Sequence, residues 1–258
     1  MLRFDNVTVD VAQFGWFSKK RWSPLLNDIS LDVLPGEMVA LVGGSGEGKS
    51  ILLQSALGLL PDNMRCHGNI ELNGNALTEK TKPLYRGNSL CYVPQGVSAL
   101  NPLIPIGPQL ERAAVLSGQH IKMHDVAQHL QQYNLQANLV NSYPSKLSGG
   151  MAKRVLASSA TLSKAQYILA DEISSWLDDE HAILLLENMK SLCREGRGIL
   201  WVTHDLAMAV RFADRIALLR NGTLEDILSS QKLKQGGGGK WLQSLWNALP
   251  EHQFMAMK

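Results

Sequence analysis

Cysteine is scarce in this chain. Cys66, Cys91 and Cys193 are the three present, and no two of them form a CxxC pair. That argues against a disulfide framework and against a zinc site, and it fits a reducing cytosol. Long apolar runs are missing too. Stretches such as Ile51 to Leu53 and Ile183 to Leu186 fall far short of the roughly 20 residues that a membrane span needs. The opening Met1-Leu2-Arg3-Phe4-Asp5 lacks the apolar stretch of a signal peptide. The chain is therefore expected neither to cross nor to line a membrane. Charge of one sign is not in excess. Lys and Arg number 25 against 23 Asp and Glu, so the net charge is +2. That balance gives no electrostatic reason to expect a nucleic-acid partner. Apolar material is not lacking: 45% of the 258 residues are hydrophobic and 19% charged. Such a chain can bury a sizeable core, as one α/β domain or a core with a subdomain.

The alternation Leu2, Phe4, Val7, Val9, Val11 predicts a strand from Leu2 to Val11. Phe14 to Trp22, with Lys19-Lys20-Arg21 at its centre, is expected to be a loop. Ile29 to Val33 predicts a second strand, followed by a turn at Pro35-Gly36. The continuous apolar run Met38 to Val42 predicts a buried strand. Ile51 to Leu60 reads as a helix that stops before Pro61. Gly68 to Leu72 and Ser89 to Val93 read as short strands, and Cys66-His67 as part of a loop. From Asn101 to about Ala165 the β pattern stops. Pro102, Pro105 and Pro108 precede apolar residues at helical spacing, so a helical subdomain over about 98–165 is expected inside the sheet domain. Strands resume at Tyr167 to Ala170, Ile199 to Val202 and Ile216 to Leu219, alternating with helices from about Glu180 to Arg194 and Leu206 to Phe212. Gly236 to Gly239 predicts a flexible run, and Trp241 to Trp246 is a short amphipathic stretch. The expected division is one domain over 1–235 and a flexible tail over 236–258. No internal repeat is visible.

Between the buried strand and the helix lies Gly43-Gly44-Ser45-Gly46-Glu47-Gly48-Lys49-Ser50, the spacing of a phosphate-binding loop. Glycines let the backbone curl so that successive N–H groups face an anion. The helix that follows, beginning near Ile51, adds its N-terminus. Lys49 would place a compact cation between β- and γ-phosphates, and Ser50 would offer a hydroxyl to Mg²⁺. A second site is predicted at Tyr167-Ile168-Leu169-Ala170-Asp171-Glu172, an apolar strand ending in two acids. Carboxyl ends of parallel strands converge on ligands. Asp171 would hold Mg²⁺, and Glu172 would act as general base on the attacking water.

Four further segments narrow the family. Leu147-Ser148-Gly149-Gly150-Met151 resembles the signature of ABC-transporter ATPase subunits, usually LSGGQ. Gln95, after Tyr92-Val93-Pro94, resembles the Q-loop glutamine. Ser175-Trp176-Leu177-Asp178 is similar to the D-loop, and Val202-Thr203-His204-Asp205 to the H-switch. The resemblance covers nearly the whole chain, in the family's order. It implies an α/β fold: a P-loop NTPase sheet core with an inserted helical subdomain and an antiparallel β subdomain. It also implies ATP and Mg²⁺ as ligands, and hydrolysis by Glu172, His204 and Gln95, with Gln95 also sensing Mg²⁺. In the family, ATP lies between two subunits. Gly43 to Ile51 of one would face Ser148, Gly149 and Gly150 of the other.

Gly96 to Pro102 followed by Ile106-Gly107 resembles the oligopeptide, dipeptide and nickel importer branch. LSGGM also fits that branch, and Gly58-Leu59-Leu60-Pro61 is similar to the first of its two ATPases. The implied system imports peptides, nickel or metal chelates. The partners implied are two membrane permease subunits, a second and non-identical ATPase, and a substrate-binding protein. The implied location is the cytoplasmic face of the inner or plasma membrane. The alternative is an ATPase subunit of an ABC exporter, or a soluble ABC protein.

This sequence also departs from the family pattern. Ala152-Lys153-Arg154 follows the signature, where the family usually has a polar Gln or Arg before Gln-Arg. Ile173-Ser174 replaces Pro-Thr after the acid pair. Trp176 stands where a small residue is usual, at what would be a close interface. Val11 occupies the place of the adenine-stacking aromatic, with Phe14, Trp16 and Phe17 as the nearby substitutes.

Overall fold

Met38 to Val42 is buried at every position, and its alternating side chains enter two different cores. Met38, Ala40 and Val42 join one, and Val39 and Leu41 the other. This run is therefore the middle of a sheet covered on both faces, as a continuous apolar strand requires. The computed structural model describes residues 1–13 and 21–249.

The strands are β1 (Leu2–Gln13), β2 (Arg21–Val33), β3 (Met38–Val42), β4 (Met64–Leu72), β5 (Asn75–Ala76), β6 (Leu90–Val93), β7 (Tyr167–Asp171), β8 (Gly198–Thr203), β9 (Arg215–Arg220) and β10 (Thr223–Ser229). The helices are α1 (Lys49–Leu57), α2 (Lys82–Tyr85), α3 (Ile106–Leu116), α4 (Met123–Gln131), α5 (Gly149–Leu162), α6 (Asp179–Arg194), α7 (Leu206–Phe212), α8 (Ser230–Lys234) and α9 (Lys240–Asn247). One sheet runs β10-β9-β3-β8-β7-β6 and the other β2-β1-β4-β5. In the first, β9, β3, β8, β7 and β6 pair in parallel and β10 closes the edge antiparallel. The second is antiparallel. It packs Phe4, Val7 and Ile70 with Leu52 and Leu53 of α1 on one face of the parallel sheet. Leu110, Val126, Leu130, Val155 and Leu185 cover the other face. Between β6 and β7 the regular elements are helical, with α3, α4 and α5 the longest of them. Among the described residues no helix is long and apolar enough to cross a membrane.

Several expectations need correction. Arg21 and Trp22 are not in a loop: they open β2, opposite Gln13 and Ala12. Cys66 and His67 lie in β4, paired with Val9 and Thr8. That strand is longer than its apolar alternation, because backbone pairing to β1 extends it. The helix after the phosphate-loop motif starts at Lys49 and stops at Leu57, where Gly58 adopts φ 62° as its cap. Phe14, Trp16 and Phe17 lie outside the described residues.

The described part of the expected flexible tail is docked. Gly239 N–H donates to Asp226 Oδ2 at 2.9 Å, and Leu242 of α9 is buried. The Arg220 guanidinium stacks 4.2 Å from the Trp241 ring centroid. Glycines here permit a tight reversal, Gly238 at φ 102°, rather than freedom.

Candidate functional site

Because β3, β8, β7 and β6 are parallel neighbours, their carboxyl ends share one edge of the sheet, where such folds hold ligands. The phosphate-loop motif leaves β3, Asp171 ends β7 with Glu172 just after it, His204 follows β8 and Gln95 follows β6.

The glycines of the loop are there for different reasons. A Cβ on Gly43 would lie 2.3 Å from the Leu219 carbonyl oxygen of β9, so the chain leaves β3 by close backbone approach. Gly46 and Gly48 have φ of 84° and 93°, in the left-handed region. Gly44, Ser45 and Glu47 fill the rest of the curl. Gly48 caps α1, and the first intrahelical bond runs from Leu52 N–H to the Gly48 carbonyl at 3.0 Å. The N–H groups of Lys49, Ser50 and Ile51 thus precede the helical ladder, where they suit an anion. The Lys49 ammonium is buried and donates to the carbonyls of Gly43 at 2.9 Å and Gly44 at 2.6 Å. Burial lowers its pKa, while Glu172, Asp171 and Glu47 pull it back up.

Ser50 Oγ donates to Asp171 Oδ1 at 2.9 Å, and Tyr92 Oη donates to Asp171 Oδ2 at 3.2 Å. Asp171 is 2% exposed, and burial raises its pKa against the pull of both hydroxyls. The Tyr92 phenol is pushed up to about 12, chiefly by burial and then by Asp171, so it stays a donor. A hydroxyl beside a carboxylate is a hard-oxygen pair, the chemistry that suits Mg²⁺ with phosphates and water completing its shell.

Glu172 stands between two partners. Gln95 Nε2 donates to its Oε2 at 2.7 Å, and His204 Nδ1 lies 3.5 Å from its Oε1. Its backbone has φ 46°. The Glu172 N–H donates to the Val202 carbonyl at 2.9 Å, and its carbonyl accepts from Ser175 Oγ at 2.7 Å and Lys153 Nζ at 3.0 Å.

A cleft of about 230 Å³ opens here, its lining including Lys49, Ser50, Ile51, Gln95 and Glu172. Ser148, Gly149 and Gly150 do not line it. They form the N-terminus of α5, where Ser148 Oγ accepts from Met151 N–H at 3.2 Å. Trp176 is 89% exposed with φ 67° on the loop between Glu172 and α6.

Two residues of the site escape sequence reasoning. Tyr92 sits in the Tyr92-Val93-Pro94 segment but reads as an ordinary strand aromatic until β6 is seen beside β7. Lys153 stands beside Arg154 in a helix of small and apolar residues, and nothing in that local pattern shows that its target lies on another element.

Comparison with known proteins places this geometry. The profile described as ABC transporter matches residues 26–175. The oligopeptide transport ATP-binding protein AppD of Bacillus subtilis is 31% identical over 231 residues, which are 82% of this chain and 70% of that one. The metal-staphylopine import system ATP-binding protein CntD of Staphylococcus aureus is 31% identical over 212 residues, 78% of each chain. The ATP-binding cassette MJ0796, solved as a dimer in a post-hydrolysis state with ADP and Pi, superposes with a TM-score of 0.77 at 25% identity. That match covers 89% of this chain and 99% of the other.

Proposed function

Since this chain belongs to the ABC transporter family and is one of its ATPases, we propose that it powers import of peptides, nickel or metal chelates. The observation that carries the chemistry is the set of groups gathered at one edge of the sheet: the Lys49 loop, Ser50 bonded to the buried Asp171, and Glu172 held between Gln95 and His204. The names of AppD and CntD support the cargo class.

Each residue has a task in this reading. Gly43 to Ile51 wrap the phosphates with backbone N–H groups, and Lys49 turns its ammonium to the β- and γ-oxygens. Ser50 and Asp171 would hold Mg²⁺, which when bound would supply positive charge against the phosphates. Glu172 accepts a proton from the attacking water, and Gln95 keeps its second oxygen in place. His204 hydrogen-bonds the γ-phosphate. Ser148, Gly149 and Gly150 act on the nucleotide of a partner ATPase, since they stand outside the chain's own cleft.

ATP binding and a dimeric ATPase assembly with membrane permeases follow from the family. The finer reading adds two permease subunits, a non-identical second ATPase and a substrate-binding protein, at the cytoplasmic face of the inner or plasma membrane. It also divides the chain into an ATPase domain over 1–235, with a helical subdomain over about 98–165, and a C-terminal segment over 236–258. Gene deletion tests the cargo. Uptake of peptides, free nickel or chelated metals is expected to fall, in a strain with no redundant transporter. Normal uptake of all three overturns the reading.

A further inference from the structure

Lys153 is a charged side chain buried where a packing role would favour a neutral one. Only 7% of the residue is exposed. Removing an ammonium from water is costly unless strong acceptors replace it. Here the acceptors belong to the loop after β7: the Glu172 carbonyl at 3.0 Å and the Ser175 hydroxyl. Ser175 Oγ in turn donates to the same carbonyl at 2.7 Å. The Ser175 N–H donates to it as well, at 3.2 Å, so three donors converge on this one oxygen, and Lys153 is the one that comes from another element.

The residue so held is under strain. A left-handed backbone is disfavoured for an L-residue other than glycine, and Glu172 adopts it at φ 46°. Such a conformation persists where the surroundings overdetermine it. β8 holds the Glu172 N–H through Val202 at 2.9 Å. α5 holds its carbonyl through Lys153. The clamp fixes the Cα–Cβ direction and so the path of the carboxylate toward Gln95 and His204.

The origin of the clamp matters. Lys153 lies one turn beyond Ser148, Gly149 and Gly150 on the same helix. That terminus also lies close to the loop at a second point, with room for little more than a methyl group between Gly150 and Leu177, since a Cβ on Gly150 would sit 3.3 Å from Leu177 Cδ2. We propose that Lys153 is a positioning residue that ties the aim of the Glu172 carboxylate to the seat of the α5 N-terminus. The proposal rests on the functional reading above. In that reading the terminus receives the γ-phosphate of the partner's nucleotide, while Glu172 acts on the chain's own. Lys153 then joins the two sites through one helical turn and one carbonyl, without itself meeting nucleotide.

The test uses the full chain in its assembled transporter, with Lys153→Met, Lys153→Gln and Ser175→Ala. Sub-ångström misaim of a reacting group is costly, so Lys153→Met is expected to lower kcat roughly 10- to 100-fold. The KM for ATP should stay within about threefold, since the phosphate loop is untouched. Lys153→Gln keeps a donor and should restore most of the lost turnover. Lys153→Met and Ser175→Ala should combine non-additively, because they hold the same oxygen. Wild-type kcat in folded Lys153→Met overturns the proposal. So does equal damage from Lys153→Gln and Lys153→Met, with KM rising and thermal stability falling alongside the loss of kcat, which marks a packing role. A wild-type chain that neither binds nor hydrolyses Mg-ATP would instead overturn the functional reading.

Discussion

Glu172 and Lys49 share one cleft but bear different loads. Glu172→Gln keeps the amide-to-carbonyl clamp and all contacts to phosphate, and removes only the base. Mg-ATP affinity should stay within about threefold while turnover falls by roughly 10²–10⁴. Rapid-quench hydrolysis in the assembled transporter checks this, and unchanged single-turnover rates would reject Glu172 as base. Lys49→Ala should weaken nucleotide binding itself, read by equilibrium titration. Trp176 gives a prediction about stability. Its indole is 89% exposed, so little packing is lost by truncation, and its φ of 67° is strained. Trp176→Gly relieves roughly 1–2 kcal/mol of strain against about 0.4–1 kcal/mol of added unfolded-chain entropy. The isolated chain should gain up to about 1.6 kcal/mol in urea unfolding at constant m-value. At this scale Lys49, Ser50, Asp171 and Glu172 were legible because their spacing encodes their chemistry. Tyr92 and Lys153 were not, since each acts across a contact that no local pattern records.

Among the elements, α5 separates reading from seeing. The sequence places it only within a helical subdomain over about 98–165, and the helix runs Gly149–Leu162 with Ser148 as its N-cap. What its N-terminus faces depends on how α3, α4 and α5 stack, which periodicity does not specify. Because Ser148 does not line the nucleotide cleft, Ser148→Arg should spare ATP binding by the isolated chain. Mixed with a normal partner ATPase, it should impair hydrolysis of the partner's nucleotide by roughly tenfold or more. Loss of ATP binding by the isolated, folded variant would show that the signature acts on its own chain's site. Strand limits were the least legible feature. β2 and β4 run past their apolar alternation because the antiparallel ladder to β1 continues through polar residues such as Arg65, bonded to Asp10 at 2.9 Å.

For the molecule as a whole, the glycine run at 236–239 misleads the eye: low complexity resembles a linker, yet here it seats α9. Leu228, Leu233 and Leu242 meet around Gly238. Ending the chain after Gln235 uncovers that cluster, at about 1.5–3 kcal/mol for the lost Leu242 burial, with the Arg220–Trp241 stack lost besides. Thermal unfolding should show a lower midpoint for the shortened chain, and an unchanged midpoint would mean that α9 contributes nothing to stability. The sharing of β3 between two cores carries a different consequence. Its amides lie beneath both layers, so neither layer can peel away and leave them open. In deuterium exchange β3 would be the slow clock of the protein, keeping time with complete unfolding, while α9 at the rim keeps a fast one. A ligand that slows only the fast clock tightens the rim, and one that slows both has bound the fold itself.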